Sequence, residues 1–471
     1  MNHAIKTFPL SLSFCLYVAF SFSSIGSLRA QPDDPPGRWE LETLVLKDET
    51  KLRGLIQAEN DEEIDFAQIV QPPGKPMYAV IRGVPRADIA KIEKLPADKH
   101  RQLVDRFARF RNRAVIEAGR MEEVELGPGP GGATQSLAYD GSWFSLYSTA
   151  DEEQTRRAVV RVEQIFRAFR TFLPPRVADP ERLTIELYGS LDQYRERLRA
   201  LDLSLDNAAF YSPRQRIILA GSDLNLFAER LARVRREHEQ AKLNAVQLEA
   251  EYMKTLAAAS DELKAAGFTP EEAAAEIRLR KAVWKERMEA LLVANSQRQR
   301  TNEQKVAEVT GVMFRGLYHE AFHAYLDAFV FPHQKRHVPR WLNEGLAQVF
   351  ESGQFDGESL RIDAPDGAKL AALRADLSAG QPLSLASLLV AEEREFLGPH
   401  ASEAPRRHYL YSWGLAYYLA FQGGLLESRE LAEYVGAEAQ RSDPLPRFEK
   451  LTGQPLGQFE REWRQALLKM K

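Results

Sequence analysis

The stretch His319-Glu320-Ala321-Phe322-His323, set in an apolar run from Val309 to Val330, decides how this chain is read. Apolar residues around it recur at helical spacing. On a helix, residues four apart differ by about 40° around the axis, so both imidazoles face one way with Glu320 beside the line joining them. Two neutral imidazoles and a neighbouring carboxylate suit Zn²⁺, which takes nitrogen and oxygen ligands in a tetrahedron with one position left for water. Two histidines alone hold the ion poorly, so the reading requires a third ligand.

Downstream, a loop between Pro332 and Pro339 leads to Arg340-Trp341-Leu342-Asn343-Glu344-Gly345-Leu346-Ala347-Gln348-Val349-Phe350, a second amphipathic helix. Twenty residues, 324 to 343, separate His323 from Glu344. This spacing and the Trp-Leu-Asn-Glu-Gly-Leu-Ala string resemble the gluzincin, or peptidase-MA-like, metallopeptidases. The resemblance is sharp over residues 315 to 350 and loose over 143 to 465, and it is nearest to exported bacterial families catalogued as domains of unknown function. It implies a zincin-like domain, mostly helical with a small sheet, that holds Zn²⁺ on His319, His323 and Glu344. In the resembling enzymes the ion lowers the pKa of its water toward about 7, and the Glu here numbered 320 takes the proton and passes it to the leaving amine. Related proteins also carry a Tyr four residues before a Trp on a late helix. Here these are Tyr409 and Trp413, which makes Tyr409 the implied donor to the tetrahedral intermediate. His408 and Tyr411 are its rivals, and core aromatics on an amphipathic helix are the plain alternative.

The departures are informative. No Gly-x-Met-Glu-Asn motif is present, so exopeptidase activity is not implied. Gln348 stands where thermolysin-like enzymes place an Asp that orients a ligand imidazole, so another group must support the histidines. Asp327, four residues after His323, is the expected replacement, with Asn343 as a further support. Phe329 and Leu326 occupy the positions that a metzincin would fill with His and Gly. His333 and His337 lie between two prolines and read as loop residues.

The rest of the chain sets the context. It has 471 residues with 63 basic and 67 acidic side chains and 44% apolar residues, which excludes a disordered, collagenous or nucleic-acid-coating protein. Mean hydropathy of −0.39 excludes a polytopic membrane protein. Residues 1–30 combine Lys6, an apolar run from Phe8 to Ile25 and a small-residue end, the layout of a secretory signal peptide, with an uncleaved anchor as the alternative. Cys15, the only cysteine, falls inside that run, so an exported chain rests on its core and not on disulfides.

Five short strand patterns over residues 38–95 predict a small β-barrel-like module. A helical connector (96–126), a Gly/Pro linker (127–135) and an α+β domain (136–471) follow. Thr149-x-x-Glu152 reads as a capping box opening a helix. Residues 224–300 predict a helical hairpin inserted in the domain, one arm stopping and the next starting at Gly267-Phe268-Thr269-Pro270-Glu271-Glu272. The strand Arg216 to Ala220 is expected to form the sheet edge along which a substrate lies, with the hairpin as a lid beside it. The functional expectation is an exported zinc-dependent hydrolase acting on peptides or proteins, an endopeptidase. An inactive scaffold of the cell envelope and a hydrolase of non-peptide amides stay open. A cell-envelope partner through the β module or the hairpin is anticipated, and nucleic acid is not.

Overall fold

A computed structural model describes residues 39–72, 77–129, 136–203, 205, 207–355, 360–362, 365–396, 403–436 and 442–470. Residues 1–30, expected to be a signal peptide, and residues 130–135 of the expected Gly/Pro linker lie outside them. The architecture is mixed α and β. Strands β1 (Glu42–Leu46), β2 (Lys51–Glu59), β3 (Glu63–Val70), β4 (Tyr78–Pro85) and β5 (Ile89–Glu93) form an antiparallel sheet in the order β4-β3-β2-β1-β5. The expected barrel does not close, because β4 and β5 stay apart as the two edges. One face carries Leu55, Ala67 and Ile69, which bury against Leu103, Phe107 and Phe110 of helix α1 (Ala97–Arg111). Leu44, Ile64, Phe66 and Val84 build a second small core. A helix thus covers the face that barrel closure would otherwise bury.

Helix α2 (Arg113–Glu123) leads to β6 (Gly127–Pro128), so the first residues of the Gly/Pro segment pair with Leu137 and Ala138 at the margin of a second sheet. That sheet contains β7 (Leu137–Asp140), β8 (Phe144–Ser148), β9 (Leu183–Tyr188), β10 (Ala209–Ser212) and β11 (Ile217–Gly221), in the order β10-β11-β9-β8-β7-β6. Strands β8, β9 and β11 run parallel, and β10 is an antiparallel edge. The edge near the histidine motif is therefore β10, and the strand expected there, β11, is interior because its hairpin partner lies outside it.

Helix α3 (Glu152–Phe172) places Val159, Val162, Ile165, Phe166 and Phe169 in the main core with Phe144, Leu146 and Ile185. Its cap is Asp151, whose side chain accepts from Gln154 N–H at 3.1 Å. Thr149, expected in that role, is turned away: its hydroxyl donates to Gln193 and accepts from Gly189 N–H. Helix α4 (Leu191–Ala200) packs Tyr194 and Leu198 against Leu219 in a separate cluster.

The hairpin consists of α5 (Leu224–Ala265) and α6 (Pro270–Tyr325). Thr269 and Glu272 exchange side-chain and backbone hydrogen bonds at the turn, with Pro270 opening the return arm. The return arm does not stop before the histidine motif. It is one helix of 56 residues, about 84 Å long at 1.5 Å per residue, and the motif occupies its last two turns. One turn of π-helix (Leu326–Val330) ends it.

The last quarter or so of the chain is mainly helical, with one two-stranded ribbon (Gln354–Phe355 and Leu360–Arg361): α7 (Arg340–Glu351), α8 (Gly367–Ser378), α9 (Leu385–Leu389), α10 (Glu393–Phe396), α11 (Glu403–Phe421), α12 (Arg429–Tyr434), α13 (Pro444–Thr452) and α14 (Leu456–Lys469). Helix α7 is buried along most of its length, and the polar Glu344 and Gln348 are buried with its apolar residues. Gly345 lets α11 press against it, since a Cβ there would meet Ser412 O at 2.3 Å. Among the described residues no helix is long and apolar enough to cross a membrane.

Candidate metal centre

Packing brings the three expected ligands together. In α6, Ala321, Phe322, Ala324 and Tyr325 are fully buried, which turns His319, Glu320 and His323 to the opposite side. Phe322 stacks on Phe350 of α7 with centroids 4.9 Å apart, and both meet Phe169 of α3 edge-on. This aromatic triad fixes α6 against α7 at the level of the histidines. Glu344, 3% exposed, then points at them. Its Oε2 lies 3.3 Å from His319 Nε2 and 3.6 Å from His323 Nε2. One ligand atom from each of the three residues falls within a 4.8 Å cluster, so the group can hold a metal ion.

The remaining ring nitrogens are committed. His319 Nδ1 meets Glu351 Oε2 at 2.7 Å and His323 Nδ1 meets Asn343 Oδ1 at 2.8 Å. Both bonds leave Nε2 to face the centre, the arrangement a histidine needs as a ligand. The group behind His319 is thus Glu351, whose other oxygen accepts from Lys369 Nζ of α8 at 2.6 Å. Asp327 is elsewhere: it accepts from Tyr211 Oη and from the backbone and ring of His333, each at 2.8 Å. Its side chain is thus taken up by β10 and by the loop after α6, and not by His323. Gln348 donates to the backbone carbonyls of Glu344 and Tyr409 and joins α7 to α11.

The electrostatics follow from this wiring. Burial opposes charge on His319, but the Glu344 and Glu351 carboxylates outweigh it and push its pKa up to about 10. Burial also opposes charge on Glu344, yet the two imidazoles hold its carboxyl well below the usual range. Glu320 shifts the other way, raised by burial and only partly offset by the imidazoles. Its Oε2 accepts from Tyr211 N–H of β10 at 2.8 Å.

Tyr409 lies within electrostatic reach of the same groups. Its pKa is pushed up to about 12 by burial and by the charge of Glu344, partly offset by the charge of Arg340. Tyr411, its rival, donates to Asp376 at 2.5 Å and accepts from Leu383 N–H. His408 lies against Phe396 with centroids 5.6 Å apart. His333 is half exposed on the loop beside β10.

Four contributors escaped the reading of the sequence. Arg340 and Glu351 sit four residues before and seven after Glu344, so helical spacing alone puts them on its face. Lys369 and Tyr211 carry no such signal, since only the tertiary fold brings them in.

Residues 315–445, which span the histidine motif, α7 and Tyr409, match a family described as a protein of unknown function (DUF1570). No curated protein matches the chain.

Proposed function

We propose that this chain is an exported zinc-dependent hydrolase, an endopeptidase of the gluzincin type. The reading is carried by one conjunction: two imidazole nitrogens and a carboxylate oxygen share a point, while a second carboxylate beside them is held by backbone. Two nitrogens and one oxygen fit zinc with a coordination position to spare. Bound there, the ion would supply Lewis acidity toward a carbonyl and a water molecule.

The chain's own groups do the rest. Glu320 Oε2 is occupied by Tyr211 N–H, which leaves Oε1 to take a proton from water and hand it to the leaving amine. Burial raises its proton affinity, as suits a group that must accept and then release a proton. Burial likewise keeps the Tyr409 hydroxyl protonated, so it can donate to the carbonyl oxygen as charge develops there. Strand β10 is the sheet edge at this point, and an extended peptide can pair with such an edge. The amino-terminal apolar stretch supports export, and the five-stranded sheet and the hairpin offer surfaces for a cell-envelope partner.

The test is metal analysis of the purified chain followed by digestion of casein and a peptide library with and without chelator. Glu320→Gln is expected to keep zinc and lose hydrolysis, whereas His323→Ala loses both. Normal turnover by Glu320→Gln would remove the base, and a zinc-loaded chain that cleaves nothing would leave the scaffold reading in its place.

A further inference from the structure

Helix rules do not explain Arg340. It is the first residue of α7, where the positive end of the helix dipole disfavours a cation. It also precedes Glu344 by four residues, the weaker order for an acid–base pair on a helix. Even so, it is partly buried, with Nη2 3.1 Å from Glu344 Oε1. The two oxygens of Glu344 therefore face different partners: Oε2 the imidazoles, Oε1 the guanidinium.

Arg340 also lies close to Tyr409, where its charge acts on the phenol. A guanidinium has no acceptor, so toward Arg340 the phenolic oxygen can only accept, and its own hydrogen is free to point elsewhere. The backbone of Tyr409 is fixed as well, by Gln348 from the same face of α7. One short helix thus supplies a metal ligand and the two residues that place the phenol beside it.

We propose that Arg340 is a positioning residue: it restricts Glu344 to ligation through Oε2 alone and aims the Tyr409 hydroxyl at the substrate's carbonyl oxygen. The proposal rests on the metal reading above. A carboxylate that binds through one oxygen keeps a coordination position open, and a fork placed between the two groups couples the ligand to the donor. Arginine suits this and lysine does not, because only a planar fork reaches two acceptors in fixed directions.

The experiment compares the unaltered chain with Arg340→Met, Arg340→Lys and Tyr409→Phe. Three quantities are read: zinc affinity by chelator competition, the visible spectrum of the Co²⁺-substituted protein, and kcat and KM on a peptide cleaved by the unaltered chain. Circular dichroism of each metal-free variant checks folding. Arg340→Met is expected to lose about 10- to 100-fold in zinc affinity and to weaken the Co²⁺ bands as Glu344 turns both oxygens to the ion. Arg340→Lys should restore much of the affinity but not kcat, and Tyr409→Phe should keep affinity and spectrum while lowering kcat. Arg340→Met that folds and matches the unaltered chain in affinity and spectrum overturns the proposal alone. An unaltered chain that binds neither ion overturns the metal reading and this proposal together.

Discussion

His319 Nδ1 and Glu351 Oε2 lie 2.7 Å apart, and the second oxygen of the same carboxylate holds Lys369 Nζ at 2.6 Å. Glu351 is therefore a bridge between a candidate ligand imidazole and a cation from another helix. It fixes which nitrogen of His319 carries the proton, and so which nitrogen faces Glu344.

Removing that carboxylate should loosen the centre without touching a ligand. Glu351→Ala is expected to cost about 10- to 100-fold in zinc affinity. It also leaves Lys369 as a poorly exposed cation without its carboxylate, so the metal-free protein should melt earlier. Adding Lys369→Met should recover the melting temperature but not the affinity. If the double variant regained both, Glu351 would serve the fold and not the imidazole.

Acidity separates the metal-free and loaded proteins. The folded-state pKa of His319, about 10, stands above its ordinary value of 6.5. Its proton therefore stabilises the metal-free fold fully below pH 6.5, and that contribution is lost as pH rises through about 10. A metal must displace this proton, so zinc affinity should rise by up to about tenfold per pH unit over the same interval. The zinc-induced rise in melting temperature is thus expected to be larger at pH 8.5 than at pH 6.5, with about one proton released per ion at neutral pH. Calorimetry in buffers of different ionisation enthalpy measures the release, and a value near zero would contradict the protonated imidazole.

What was legible in the sequence follows from the range of each interaction. The ligand pair, the hairpin turn and the strand patterns rest on neighbours a few residues apart, where spacing determines facing. Glu344 needed a resemblance, because twenty residues and a loop intervene. Thr149 was misread as a cap since Gln193 and Gly189, some forty residues on, compete for its hydroxyl. Asp327 supports no imidazole of the centre because Tyr211, more than a hundred residues away in the chain, and His333 of the next loop take its carboxylate, and helical spacing reveals neither. The barrel failed for a similar reason: a count of strands does not reveal that α1 will cover the face on which they would close.

Gly345 offers a test of the packing between the ligand helix and α11. A Cβ there would lie 2.3 Å from Ser412 O and 2.7 Å from the Ala416 Cβ, and backbone cannot yield as a side chain can. Gly345→Ala should therefore destabilise by about 3 kcal/mol despite the better helix propensity of alanine. Because Glu344 is its neighbour, zinc affinity should fall too. A variant that melts normally would show that the two helices separate readily.

The hairpin poses the opposite question, since it is large and yet contributes little to the main core. That core takes Leu224 from its beginning and resumes at Met313, whereas the buried Ala245, Leu256 and Ala273 fall outside it. The contact of His238 with Gln299 and the ion pair of Arg235 with Glu303 tie the two arms together near their base. Replacing residues 240–296 with a short Gly/Ser linker keeps those ties and removes the distal arms. Zinc affinity should then stay within about threefold, because no ligand or supporting group lies in the excised segment. If the arms restrict entry, cleavage of a folded protein should rise relative to that of an unfolded one, such as casein. An unchanged ratio would leave the hairpin as a spacer, and loss of zinc would mean that the long continuous helix, and not only its last two turns, holds the histidines in place.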